Sequence, residues 1–418
     1  MDYLPFLTLG ALLFIIVFGI YRSKMNMGIL SLSFAMVIGF VIMKLCEKEI
    51  ATLFPSQLFL MLVGITLFFG IADQNGTLKK ILDLLIKLSH GNSAILPITF
   101  FFLTFILSAI GPGNIAATAL IAPVAMLVAT NARINPLVMA IMVCTGANAG
   151  AFSPISPTGI ISTGLITQIG ATDPNYPIKI FLASAGIQSL TALAAYIIFK
   201  GYKVAGVNGS LTQTDAGESK LNYRQIVTII AILVLLIITI FIKIPVGVTV
   251  YILSGILLML NIGDSEEAMK RIPWDAIMLV TGITVLIGIL SKSGGLELAA
   301  DLISKISSTH TLNAILALIT GIVSAYSSSS GVVMPTFIPL IPSIMEKVGT
   351  TDLLHTIISV NVGSHMVDVS PLSTLGAICI ASVSGGMLKE KLFKGLMIWG
   401  ITMAFVGAIL SFLFLDLL

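Results

Sequence analysis

Apolar segments long enough to cross a lipid bilayer recur along almost the whole 418-residue chain, and they constrain its fold more than any other feature. A membrane-spanning helix needs about 20 mainly apolar residues. Only 10% of the residues are charged, and the mean hydropathy is +1.07, whereas soluble domains carry roughly a quarter charged residues. Because lipid cannot pair backbone polar groups, segments of this length must be helical. The sequence therefore predicts an all-α polytopic membrane protein.

Ten apolar segments are predicted to be transmembrane helices. The first follows no positively charged segment and has no small-residue cleavage site, so we interpret it as a retained helix rather than a signal peptide. The candidates are 4–20, 27–43, 55–72, 134–168 and 178–199 in the first half, and 224–242, 245–262, 273–290, 352–385 and 395–415 in the second.

Two further regions, 94–130 and 312–346, each contain two short apolar stretches separated by Gly, Ser, Pro or Asn. This pattern predicts re-entrant hairpins whose tips stop at membrane depth. An amphipathic segment precedes each hairpin, at 79–90 and at 297–305, and is expected to lie along the membrane interface.

The distribution of Lys and Arg predicts the orientation of the chain, because these residues are enriched in cytoplasmic loops. With an external N-terminus, the internal segments hold 15 of the 22 Lys and Arg residues. We therefore predict a multi-pass protein of the inner (cell) membrane with both termini outside. The hydrophilic stretch 201–223 is predicted to be a flexible cytoplasmic linker.

Motifs recur between the two halves at nearly constant sequence offsets of 218, 216 and 217. In that order, the three pairs are Gly64-Ile-Thr with Gly282-Ile-Thr, Ser108-Ala with Ser324-Ala, and Ser153-Pro-Ile-Ser with Ser370-Pro-Leu-Ser. Each half holds five predicted spans, which is an odd number, so the second half begins on the opposite side of the membrane. The sequence thus predicts two inverted repeats, 1–200 and 224–418.

Helix-breaking residues at bilayer depth indicate where the function lies. Both Ser-Pro-x-Ser motifs fall inside predicted spans, 134–168 and 352–385, and each half also has a hairpin tip. Broken helices are tolerated where they line a polar cavity, so four broken elements are expected to converge near the midplane. Half-helix N-termini there can bind an anion, and freed carbonyls can bind Na⁺.

Neutral side chains at these breaks form a hydrogen-bonding cage, which we expect to hold an anion without an arginine. They are Asn114, Ser153, Ser156, Thr158, the Ser327–Ser330 run, Ser370, Ser373 and Thr374. The alternative is structural, because small residues such as Gly113 and Gly331 permit close helix packing. Hydroxyls in membrane helices also bond their own backbone.

Asp368 is the most informative charge, because it lies in the middle of a predicted span, five residues before Ser373. Intramembrane carboxylates are usually functional, although Asp368 could instead be solvated at the cytosolic side. His365 lies on the same helical face and is either its partner or a polar spacer. We treat Asp368 and His365 as candidate coupling residues.

Several function classes are disfavoured. No GxxxxGK[ST] motif occurs, so the chain cannot itself be an ATP-driven motor. The three cysteines are far apart and indicate neither a disulfide framework nor a metal site. A membrane enzyme would need a nucleophile–base pair or metal cluster at depth, and a channel would need a polar stripe or charged rings. We expect a carrier, with no cofactor and no nucleic-acid partner.

These features resemble the ion transporter superfamily, in particular the divalent-anion/sodium symporter group and the dicarboxylate carriers of the malonate-carrier type. Hairpin tips in that group carry Ser-Asn-Thr, with a proline nine residues after the Asn. Asn114 with Pro123 and Ser330 with Pro339 keep this spacing, but the triplets read Gly-Asn-Ile and Ser-Ser-Gly. The broken spans, usually Thr-Pro-x-Gly-Thr, read Ser-Pro-Ile-Ser-Pro and Ser-Pro-Leu-Ser-Thr.

The resemblance implies cation-coupled uptake of a small di- or tricarboxylate, with Na⁺ favoured over H⁺, by an elevator-type movement in a homodimer. It assigns substrate binding to Asn114, Ser156, Pro157, Thr158, Ser329, Ser330, Ser373 and Thr374. It assigns Na⁺ binding to Gly113, Asn114, Ser153, Ser329, Ser330 and Ser370. A cation/proton antiporter or another oxyanion carrier of the same superfamily is the alternative. The sequence leaves open which carboxylate is carried, and with which ion and stoichiometry.

Overall fold

The computed structural model describes residues 3–21, 25–80, 94–171, 173–202, 221–238, 242, 244, 246–325, 328–383 and 386–413. Within these ranges the chain forms helices joined by turns, without a β-strand. Most of the predicted linker, Ser327 and the part of the first amphipathic segment beyond Lys80 lie outside the described residues.

The helices of the first half are α1 Leu4–Tyr21, α2 Met27–Met36, α3 Glu47–Ala51, α4 Ser56–Gln74, α5 Leu96–Ala109, α6 Gly113–Asn131, α7 Pro136–Ala151, α8 Pro157–Gln168 and α9 Tyr176–Ile198. Those of the second half are α10 Tyr223–Ile237, α11 Val246–Met259, α12 Ser265–Lys270, α13 Trp274–Lys292, α14 Gly295–Lys305, α15 Leu312–Ser324, α16 Met334–Phe337, α17 Ile341–Val348, α18 Leu353–Met366, α19 Thr374–Ala381 and α20 Gly386–Leu413. Short π-helical segments, Val37–Ile42 and Ser329–Val333, follow α2 and precede α16, and a 3-10 turn, Ile338–Leu340, precedes α17.

The composition of these helices is that of a membrane protein, as predicted. Five helices in the described ranges are long and apolar enough to cross a bilayer, and seven shorter ones of 10–17 residues are also apolar. Large apolar side chains such as Leu182 and Ile398 are exposed, at 61% and 68%, which suits contact with lipid rather than water. Helix α14, predicted to be interfacial, turns by 87° from α13.

Two helices, α7 and α18, form the centre of the structure. Every residue of α7 from Val138 to Ala151 is buried, as is every residue of α18 from Thr356 to Met366. A Cβ on Gly146 would lie 2.3 Å from the backbone O of Phe101 in α5, and one on Gly363 would lie 2.3 Å from that of Ala317 in α15. Glycine thus lets each central helix touch the backbone of its neighbour.

The two halves contain matching elements. Helices α4 and α13 begin and end at positions related by the same offset as Gly64 and Gly282. Each is preceded by a proline with nearly the same backbone conformation, Pro55 (φ −78°, ψ 70°) and Pro273 (φ −78°, ψ 69°). Helices α2 and α13 pack together, as do α11 and α4. The halves therefore interlock through corresponding helices.

Matching hydrogen bonds also join the halves. Thr8 Oγ1 lies 2.7 Å from Ser293 Oγ. Asn75 Nδ2 donates to Thr228 Oγ1 over the same 2.7 Å. Asn75 and Ser293 occupy corresponding positions of the two halves, and Thr8 and Thr228 nearly do so. The same kind of contact is therefore made twice, with the halves exchanged.

Candidate functional site

Both predicted broken spans contain a break at the Ser-Pro-x-Ser motif. Helix α7 ends at Ala151 and α8 begins at Pro157, whereas α18 ends at Met366 and α19 begins at Thr374. In the first turn of α8 and of α19, a glycine packs against the backbone of the loop that precedes the helix. A Cβ on Gly159 would lie 2.1 Å from the backbone O of Ser153, and one on Gly376 would lie 2.1 Å from that of Ser370.

A cavity of about 450 Å³ lies where the turn between α5 and α6 meets the break between α7 and α8. The predicted site residues in its lining are Gly113, Asn114, Pro157, Thr158, Ser328 and Ser330. Gly113 and Pro157 are the first residues of α6 and α8. Helix N-termini carry unpaired N–H groups and the positive end of the helix dipole, so this part of the cavity suits an anion.

Helices α4 and α13 also contribute to the lining of this larger cavity, which is mainly apolar. The exceptions include Thr66, and Asp73 and Arg271 at its edge. Arg271 Nη1 forms an ion pair with Asp73 Oδ2. The lining of the larger cavity therefore combines two helix starts with one charge pair.

A smaller cavity of about 20 Å³ is lined by several more of the predicted residues. Its lining includes Asn114, Ser329, Ser330, Asp368, Ser373 and Thr374. A volume of this size is sufficient for one water molecule, and a dehydrated monovalent cation is no larger. Asn114, Ser328 and Ser330 line both cavities, which are therefore adjacent.

Asp368 is 7% exposed and is held by neutral donors. Ser329 Oγ donates to Asp368 Oδ1, and Ser324 Oγ lies 2.5 Å from Ser329 Oγ. Asn148 Nδ2 approaches Asp368 Oδ2 at 3.5 Å. Ser373 Oγ donates to the backbone O of Asp368 and therefore does not cap α19. A buried carboxylate needs such donors, because burying an unpaired charge is costly.

Asn148 is a residue of this network that the sequence analysis missed. It is completely buried in α7, and its Nδ2 donates to the backbone O of His365 over 2.9 Å. Its Oδ1 accepts from Asn114 Nδ2, also over 2.9 Å. The carbonyl of His365 and the carboxylate of Asp368 can only accept hydrogen bonds. The Asn148 side chain must therefore point its NH₂ group toward them and its oxygen toward Asn114. Asn148 thereby links Asn114, at the start of α6, to the carboxylate of Asp368 in the second half.

His365 lies beside this network without pairing with Asp368. Its Nδ1 lies 2.9 Å from the backbone O of Asn361 and 3.0 Å from Ser364 Oγ. Its ring packs edge-on against Phe152 with a centroid distance of 4.7 Å, and its buried Nε2 has no partner. In the described structure His365 is a packed polar residue.

The other predicted serines are buried near the cavities. Ser156 caps α8 without a side-chain bond, and its hydroxyl has no partner; a Cβ on Gly113 would lie 3.6 Å from its Oγ. Ser153 and Ser370 are 7% and 2% exposed and do not line either cavity described above. The hydroxyl of Ser108, which is also unpaired, corresponds in the repeat to that of Ser324, which is paired.

The residues of the described ranges include no cluster of three or more His, Cys, Asp or Glu that could bind a metal. Cys144 and Cys379, one from each half, are buried free thiols whose Sγ atoms lie 3.6 Å apart. Possible cation ligands at the site are therefore hydroxyl, amide, carbonyl and carboxylate oxygens.

Residues 5–151 match the family model described as the dicarboxylate carrier protein MatC N-terminus. The match spans α1 to α7, about a third of the chain, and includes both Asn114 and Asn148. A search of curated proteins finds no match. The matched part supports the predicted resemblance to dicarboxylate carriers. Over its first 151 residues, the chain is similar to the N-terminal part of this dicarboxylate carrier family.

Proposed function

We propose that this protein is a secondary active carrier that takes up a small di- or tricarboxylate, preferably a dicarboxylate, together with a cation. The observation that carries the proposal is the larger cavity, where α6 and α8 both begin at the lining. The backbone N–H groups in the first turns of these helices that have no intrahelical partner, and the Thr158 and Ser330 hydroxyls, can bind one carboxylate. Neutral donors give moderate affinity, which permits release in each transport cycle.

The cation is proposed to bind close to the anion, with Na⁺ favoured over H⁺. Two observations support an oxygen-ligated site. Ser108 and Ser156 have buried hydroxyls without partners, and the smaller cavity has room for one small ion beside Asp368. Asp368 would repel an anionic substrate unless a cation neutralised it. A proton on Asp368 would serve the same purpose, which keeps a proton-coupled carrier or a cation/proton antiporter as the alternative.

We further propose that the halves are inverted repeats, with hairpins that enter from opposite sides, in a homodimeric elevator. Support for the repeats comes from the matching positions of α4 and α13 and from the matching bonds Thr8–Ser293 and Asn75–Thr228. The dimer and the elevator movement rest on the family resemblance alone.

Thermal unfolding of the detergent-purified protein, with malonate, succinate, malate or citrate and with or without Na⁺, tests the proposal. A ligand that binds only the folded state raises stability, by about 2.7 kcal/mol at a concentration 100 times its Kd. We expect a dicarboxylate to raise the unfolding temperature most, and more strongly in Na⁺ than in choline. If no carboxylate changed the unfolding temperature, with or without Na⁺, this substrate class would be excluded.

A further inference from the structure

The larger cavity contains a charge pair that the neutral-cage proposal does not use. Arg271 and Asp73 are the basic and acidic side chains among its described lining residues, and they pair with each other. Their side chains are 42% and 41% exposed. Exposed ion pairs contribute only about 0–1 kcal/mol, so a competing carboxylate could replace Asp73 as the partner of Arg271 at little cost.

The position of Arg271 is determined by contacts other than this ion pair. A Cβ on Gly70 of α4 would lie 3.1 Å from the backbone O of Ala268 and 3.5 Å from Arg271 Cβ. The backbone N–H of Asp264, which caps α12, donates to Gln74 Oε1 over 2.9 Å. The end of α12 is therefore packed on α4, and the backbone of Arg271 would stay beside the cavity if Asp73 were removed.

The corresponding contact in the first half is made without charge. The offset that relates α4 to α13 also relates Gly70 to Gly288, and Leu53 to Arg271. A Cβ on Gly288 would lie 3.2 Å from Leu53 Cβ, so Leu53 packs on α13 much as Arg271 packs on α4. The position matching Asp73 is Ser291. The Leu53–Gly288 contact shows that this packing does not require an ion pair. The charged pair is present only at the copy of the contact that lines the larger cavity.

We propose that Arg271 binds the second carboxylate of a dicarboxylate substrate whose first carboxylate lies at the starts of α6 and α8. Asp73 holds the guanidinium when the cavity is empty and is displaced by the substrate. The planar guanidinium suits this role because it binds a carboxylate through two parallel hydrogen bonds. The inference rests on the proposed carboxylate transport. It means that the neutral donors bind only one carboxylate of the substrate, and that Arg271 binds the other.

Matched ligands test this assignment. Malonate and propionate differ by replacement of one carboxylate with a methyl group, as do succinate and butyrate. Equilibrium binding to the full-length protein in detergent should show tighter binding of each dicarboxylate. Arg271→Gln should weaken malonate and succinate binding by about tenfold, the effect of losing a charged hydrogen-bond partner, and leave propionate and butyrate unchanged. Equal changes for both classes, or no change, would overturn the assignment.

Two further variants keep the test decisive if Arg271→Gln folds poorly. Asp73→Asn removes the competing carboxylate, so malonate and succinate should bind more tightly while the monocarboxylates do not; unchanged binding of all four counts against the proposal. Arg133→Gln, which alters an arginine outside the cavity lining, should leave all four unchanged. If the wild type binds none of the four, carboxylate transport itself fails. If it binds each matched pair equally, only the role of Arg271 fails.

Discussion

Asp368 introduces a carboxylate into a network that otherwise consists of hydroxyl, amide and backbone groups. Ser329 and Asn148 donate to its two oxygens, and the smaller cavity lies beside it. Polar partners of this kind keep a buried charge tolerable, but they do not remove its repulsion of an anionic substrate. A residue in this position can link cation binding to substrate movement.

We therefore expect Asp368→Asn to bind dicarboxylate but to lose concentrative uptake. The neutral amide can no longer bind and release the coupling cation or proton during the transport cycle. Counterflow and gradient-driven uptake in proteoliposomes separate the two steps. Counterflow should persist, whereas accumulation should fall to the equilibrium level with altered dependence on pH or Na⁺. Wild-type accumulation by the variant would assign Asp368 to structure only.

Replacing Asn114 by Ala should raise the cation concentration required for half-maximal uptake severalfold. The change removes an amide that lines both cavities and bonds Asn148. Asn361→Ala provides a matched control, because Asn361 is also a buried amide but donates to Ser162 Oγ over 3.1 Å and lines neither cavity. The same shift in both variants would point to a packing effect.

Residues at helix breaks could be predicted from the sequence, and residues inside regular helices could not. Asn114, Ser329 and Asp368 were chosen as candidates because each lies beside a break or is a charge within an apolar segment, and the structure places them around the smaller cavity. Asn148 has no such signal, since it lies within α7, among apolar and small residues. Its role depends on which helix faces it, which is tertiary information.

Among the helices, the breaks after α7 and α18 are each followed by a glycine at which a side chain would collide with backbone. At Gly159 and Gly376 a Cβ would lie 2.1 Å from a backbone oxygen of the preceding loop. Contacts that short require the backbone to move, because real Cβ atoms essentially never come within 3.0 Å of another atom. The first turn of α8 or α19 would then be displaced from its cavity.

Accordingly, Gly159→Ala and Gly376→Ala should each destabilise the protein by about 1–3 kcal/mol or more and reduce substrate binding. Gly186→Ala in α9 should be neutral or slightly stabilising, because nothing lies within 4 Å of its added methyl group and Ala favours helix. Thermal unfolding of the three variants in detergent provides the comparison. Equal stability of all three would show that the breaks tolerate side chains.

The sequence predicted the location of both breaks, but not the short helices between spans. The hydrophobic pattern marks where a helix enters lipid, and Ser-Pro-x-Ser marks where it is interrupted. Helices α3 and α12 lie in segments that the pattern assigned to loops. Helix α12 forms because Asp264 caps it and α4 supports it, and the second of these contacts is tertiary.

At the scale of the whole molecule, the proposed inverted topology places the turn after α6 inside and the turn after α17 outside. Thr130→Cys and Thr351→Cys, both at exposed positions, test this in a Cys46→Ser background, since Cys46 is the exposed cysteine and the other two are buried. In intact cells, an impermeant maleimide should label the cysteine at 351 but not the one at 130. Labelling of both from outside would contradict the inverted repeat.

The bond between Thr8 and Ser293 has a consequence for biogenesis. Its two residues are separated by 285 positions, and α1 packs chiefly against α2, α13 and α14. During synthesis, α1 and α2 therefore enter the membrane long before most of the surface that will cover them exists. Until the ribosome has passed residue 293, lipid or the insertion machinery must shield them. The packing of α1 and α2 against α13 and α14 must therefore follow the synthesis of the second half of the chain.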